Sequence, residues 1–109
     1  MNRPETEAHP MDYLHVNWRE HSPDAPVDIY SELDDERWEI RKVEVFPDGR
    51  MQYADDWEST GKTGLSEVPT PSVEDIAAQD PFTPEEIGQT EFERLWDAAH
   101  LPGADTTEK

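Results

Sequence analysis

Cysteine is absent from the 109 residues. That excludes disulfides, thiolate metal sites and a cysteine nucleophile together. Secreted domains of this size usually carry disulfide staples, so the absence favours the cytoplasm. Apolar residues are scarce, at 33% of the chain, against the usual about 45–50%. No apolar run approaches the about 20 residues that a membrane span needs, and residues 1–7 lack the apolar core of a signal peptide. Basic residues are scarcer still: 9 Lys and Arg stand against 27 Asp and Glu, giving a net charge of −18.

Such a charge repels phosphate backbones, which argues against direct nucleic-acid binding and against docking on an anionic membrane. It attracts a basic partner and speeds the encounter at low salt. The same charge also serves solubility alone. Residues 1–65 hold 16 acids and 7 bases, and residues 66–109 hold 11 acids and 2 bases. Both parts are therefore equally negative, and the shorter one more densely so.

What the chain does have is aromatic residues. Trp18, Trp38, Trp57 and Trp96 are joined by three tyrosines and three phenylalanines. Disordered chains are poor in such residues, so a packed core is expected between Tyr13 and Trp96. The length is that of one domain. The expected organisation is a loose arm over residues 1–12, one domain over 13–100 and a loose tail over 101–109.

Alternation marks the strands. Leu14, Val16 and Trp18 share one face of the first, and Val27, Ile29, Ser31 and Leu33 share one face of the second. A proline loop, His21 to Pro26, separates them. Between Arg37 and Phe46 the apolar face changes: Trp38 and Ile40 lie on one side, Val43 and Val45 on the other. This requires either a bulge near Arg41-Lys42 or cover on both faces. Pro47-Asp48-Gly49 reads as a hairpin turn, and Met51 and Tyr53 face together in the returning strand.

The second half reads as helical. Ser72 caps a short helix around Ile76. Thr83-Pro84-Glu85-Glu86 reads as another capped start, and Thr90 with Glu93 as a capping box. Phe92, Leu95, Trp96 and Ala99 then form one apolar stripe. Whether residues 83–100 make one helix or two stays open. The expected fold is α+β: an antiparallel meander of about four strands with a C-terminal helix on one face, and residues 68–78 over the other.

Catalytic signatures are weak. Gly61-Lys62-Thr63 lacks the upstream glycine of a phosphate loop, since Asp56 stands in its place. His9, His15, His21 and His100 show no metal-ligand spacing. Asp34-Asp35-Glu36 and Asp55-Asp56 with Glu58 lack the alternating oxygens of a calcium loop. No catalytic residue, metal site or cofactor is therefore assigned. The partner-binding candidates are Asp34, Asp35, Glu36, Asp55, Asp56, Trp57 and Glu58. An aromatic ringed by charge has the composition of an interface hot spot, although Trp57 folding back to cap the core is the competing reading.

Residues 29–49 resemble the core of an uncharacterised family of small acidic bacterial proteins, largely actinobacterial, a domain of unknown function. Leu65-Ser66-Glu67-Val68-Pro69 and Glu91-Phe92-Glu93-Arg94-Leu95-Trp96 fit the same family. The resemblance covers residues 13–100 and implies a bacterial, cytoplasmic protein without implying catalytic residues.

The functional expectation is a protein-binding module, an immunity- or antitoxin-like neutraliser of a basic partner rather than an enzyme. Two alternatives stand beside it. One is a nucleic-acid mimic, which would compete with DNA. The other is a small ligand-binding domain or enzyme with an anion site formed by Arg37, Arg41, Lys42 and Arg50. Cross-strand pairing of those bases with Glu39, Glu44 and Asp48 explains them more simply. The sequence leaves the oligomeric state open.

Overall fold

The computed structural model describes residues 11–18, 25–55, 57–60, 63–79 and 82–101. The arm before residue 11, His21 to Asp24 of the proline loop, Asp56, Gly61-Lys62 and the tail beyond residue 101 lie outside them. Five antiparallel strands form one sheet: β1 Asp12–Trp18, β2 Asp28–Leu33, β3 Glu39–Val45, β4 Met51–Ala54 and β5 Phe82–Ile87. Two helices accompany them, α1 Val73–Ala77 and α2 Gln89–Ala99. The strand order is β4-β3-β2-β1-β5, so the first four strands are the expected meander and β5 returns to pair with β1.

The fifth strand replaces an expected helix start. Thr83-Pro84-Glu85-Glu86 favours a helix locally, but β1 would otherwise present an unpaired edge. Pairing Trp18 with Phe82 and Tyr13 with Ile87 covers that edge, and the Trp18 and Phe82 rings pack 5.5 Å apart. Proline is tolerated in β5 because β5 is itself an edge strand. Gly88 is then the N-cap of α2, with no side-chain cap. The expected capping box at Thr90 does not form, because the helix starts earlier and Glu93 is drawn to Arg41 instead.

Both sheet faces are covered. On one, α2 lies across β1 to β4 and buries Phe92 and Ala99 against Tyr13 and Val43, with Tyr30, Met51, Tyr53 and Trp96 around them. On the other, Ile76 of α1 packs on Leu14 and Leu33. Ser72 caps α1 by accepting a hydrogen bond from the Asp75 amide at 3.1 Å. The register also shifts: Glu32 pairs with Arg41 and Leu33 with Glu39, so Ile40 is the extra residue of a bulge. The bulge therefore falls one residue before the expected Arg41-Lys42. In a regular strand Glu39 and Lys42 would point to opposite faces; the extra residue brings them to the same one.

Candidate protein-binding surface

The hairpin logic of the meander places two acidic turns at one end of the sheet. One joins β2 to β3; the other follows β4, whose last residue, Ala54, lies opposite Lys42. In the first, the Asp34 carboxylate accepts from the amides of Glu36 and Trp38, each at 2.9 Å. In the second, the Asp55 carboxylate accepts from the amides of Trp57 at 2.8 Å and Glu58 at 2.9 Å. Aspartate closes such turns because its short side chain reaches its own backbone two residues on. Ser59 and Thr60 then run back along the outer edge of β4, where the Thr60 amide donates to the Tyr53 carbonyl at 2.9 Å.

This anchoring leaves the Trp57 side out in water. Trp57 is 90% exposed, so it does not cap the core. Asp34, Asp35, Glu36, Asp55 and Glu58 lie at the same end of the sheet; Asp56 is outside the described residues. Trp38, in the first turn, is 40% exposed, which adds a second accessible indole there. Glu58 reaches the Tyr53 hydroxyl at 3.4 Å, and Tyr53 in turn stacks on His100, their ring centres 3.8 Å apart. Trp96 meets Tyr53 edge-on at 5.3 Å. This ring cluster bordering the second turn is legible in the sequence only as the separate stripes of β4 and α2, since their juxtaposition depends on how α2 crosses the sheet.

The four bases do not converge. Arg41 lies under α2, where it donates to Glu32 at 2.6 Å and Glu93 at 2.6 Å and sits over the Phe92 and Trp96 rings, 5.0 Å from each centre. Lys42 points to the opposite face, where it ion-pairs with Glu39 at 3.2 Å and donates to the Gly64 carbonyl at 2.9 Å. Arg37 holds the segment after residue 63, donating to the Thr70 carbonyl at 2.9 Å and the Pro71 carbonyl at 2.7 Å. Arg50 lies at the far hairpin over Phe46, beside Asp48. The paired acids are thus Glu39 and Asp48 as expected, while Glu32 and Glu93 take Arg41, and Glu44 accepts from Thr63.

Electrostatics around Arg41 are strongly perturbed. Its hydrogen bond to Glu32 raises its pKa beyond the ordinary arginine value. The hydrogen bond from Arg41 holds the Glu93 carboxyl below the usual range. Burial, followed by hydrogen bonding to Glu32 at 2.8 Å, pushes the Tyr13 hydroxyl up to about 12. Burial and then Asp28 push Tyr30 up to about 12 as well. Arg41 is thereby a clamp between sheet and helix. A further polar group lies on the α2 face: His15 Nε2 is 2.7 Å from Asp28 and Nδ1 is 3.5 Å from Glu85. Sequence reasoning missed it because Glu85 reaches His15 only through the unforeseen strand β5. Among the described residues, no group of three or more His, Asp or Glu is arranged to hold a metal ion, and no helix is long and apolar enough to cross a membrane.

These features define a small α+β domain with a sheet covered on both faces and an acid-flanked indole displayed at one end. The chain belongs to the family described as a domain of unknown function (DUF6881), whose model matches residues 12–101. No curated protein and no solved structure matches it.

Proposed function

We propose that this domain is a protein-binding module that captures a basic partner through the two acidic turns, with Trp57 as the anchor. The observation that carries the reading is an indole left 90% exposed on a turn pinned by two hydrogen bonds to Asp55. Exposing so large an apolar side chain gains nothing for folding. A large aromatic with only two side-chain torsions, carried on a fixed backbone beside charge, suits an interface, because little conformational entropy is lost on docking it. The net charge of −18 supplies long-range attraction for a basic surface. An immunity- or antitoxin-like role in a bacterial cytoplasm, neutralising a basic protein by fast capture, fits these properties.

The test is parallel capture. Wild type and Trp57→Ala are immobilised, exposed at low salt to lysate of the encoding organism, and eluted with a salt gradient. The reading expects one basic protein retained stoichiometrically by wild type and lost from the variant. The same proteins on both columns would sink it. Adding duplex DNA then separates capture from mimicry: a complex that survives the DNA is direct capture, whereas displacement marks a mimic of a DNA site.

A further inference from the structure

A concave cavity of about 210 Å³ lies on the α1 face of the sheet, open on one side. It is lined by the apolar side chains of Leu14, Val16, Ile29, Ile76 and Phe82 and by the polar ones of Ser31, Glu39 and Lys42. The polar group is a built arrangement. The bulge at Ile40 brings Glu39 beside Lys42. The Glu39 side chain, only 6% exposed, accepts from Ser31 at 2.8 Å and from the Ser66 amide at 2.7 Å, and ion-pairs with Lys42 at 3.2 Å. Its oxygens are thus satisfied. Lys42 has three N–H donors; among the described residues one is hydrogen-bonded to the Gly64 carbonyl, and the ammonium ion-pairs with Glu39. One donor remains. A buried ion pair stabilises a fold no better than an apolar pair of the same volume, so stability alone gives no reason for a charged pair among these apolar side chains.

We propose that this cavity binds a small neutral ligand with a ring-sized apolar body and one carbonyl acceptor, which takes the remaining N–H of Lys42. Size sets the body: an enclosed apolar cavity of about 150 Å³ accepts benzene, so this one admits a ring with a short substituent. Charge sets the head group. Lys42 and Glu39 cancel, so a carboxylate ligand meets the Glu39 carboxylate and an ammonium ligand meets Lys42, while a neutral carbonyl meets neither penalty. This site is on the opposite face from α2 and is independent of the proposed capture of a basic partner.

The test uses methyl NMR of the full chain with acetophenone as the probe, and benzoate and benzylamine as charged counterparts. Acetophenone is expected to produce saturable shifts at the Leu14, Val16, Ile29 and Ile76 methyls, leaving Val43 and Val45 on the α2 face unmoved. Benzoate and benzylamine are expected to bind about tenfold more weakly or less. Val16→Trp, which fills the cavity, abolishes the shifts while the Val43 signals report an intact fold; Ile29→Trp is the second filling variant if the first does not fold. In Glu39→Gln/Lys42→Met, ethylbenzene binds as well as acetophenone, because the donor that distinguishes them is gone. The proposal is overturned by the absence of saturable shifts at these methyls, by shifts that persist in a folded filling variant, or by benzoate binding as tightly as acetophenone.

Discussion

Arg41 shows how one residue fixes the relation between sheet and helix. Its guanidinium is shared by Glu32 on β2 and Glu93 on α2, and its flat face lies on two rings of the helix. Removing it leaves Glu32, whose side chain is 10% exposed, without its cation. Arg41→Ala is therefore expected to cost about 3 kcal/mol, the low end for breaking a buried pair because Glu93 remains partly in water. Urea denaturation measures it. Tyr13 belongs to the same network, and the sign of its pH effect follows from its raised pKa. The neutral hydroxyl is favoured in the folded state, so its contribution is complete below pH 10 and is lost as pH rises toward 12. Tyr13→Phe should flatten part of the alkaline limb of the stability profile, with Tyr30 supplying the rest. Glu93 acts at the other limb. Its lowered pKa contributes stability above the ordinary glutamate range, which is lost as pH falls below about 4.

At the scale of elements, the segment that crosses the α1 face has almost no regular structure and is held by side chains. Arg37 adopts a φ of +67°, a region that costs a non-glycine residue about 1 kcal/mol. Its guanidinium offsets this by binding two carbonyls of the segment. In Arg37→Ala the strain stays and the tether goes, so the Thr70 amide, which donates to the Arg37 carbonyl, should exchange with solvent at least about tenfold faster. Unchanged exchange would show that the short helix α1 holds the segment alone. The strands β1 to β4, the hairpin at Gly49 and the stripe of α2 were legible in the sequence because each is a local pattern. Trp38 and Ile40 opposite Val43 and Val45 called for a bulge or a doubly covered sheet, and both are present. The strand β5 was not legible. Its Thr-Pro-Glu-Glu run carries a helix-start signal, and only the long-range demand of the β1 edge overrides it. The exposed position of Trp57 follows from the Asp55 turn, whereas the meeting of Glu39 and Lys42 depends on the exact position of the register shift, which the alternation within β3 does not fix.

For the whole molecule, charge and anchor have separable consequences. A net charge of −18 acts at a distance and is screened over about 8 Å at physiological salt. Reversing Asp34, Asp35 and Glu36 to lysine should therefore slow association with a basic partner at low salt and leave dissociation nearly unchanged. Surface plasmon resonance at two ionic strengths reads both rates. In the proposed complex Trp57 would act by contact, and its loss should instead accelerate dissociation. The most direct measurement is a calorimetric titration of the captured partner into wild type and Trp57→Ala, with thermal unfolding of both proteins recorded alongside. Anchoring through Trp57 predicts binding weakened about thirtyfold or more at unchanged thermal stability, because the indole is 90% exposed. Equal affinity in a variant that unfolds at the same temperature would contradict the account.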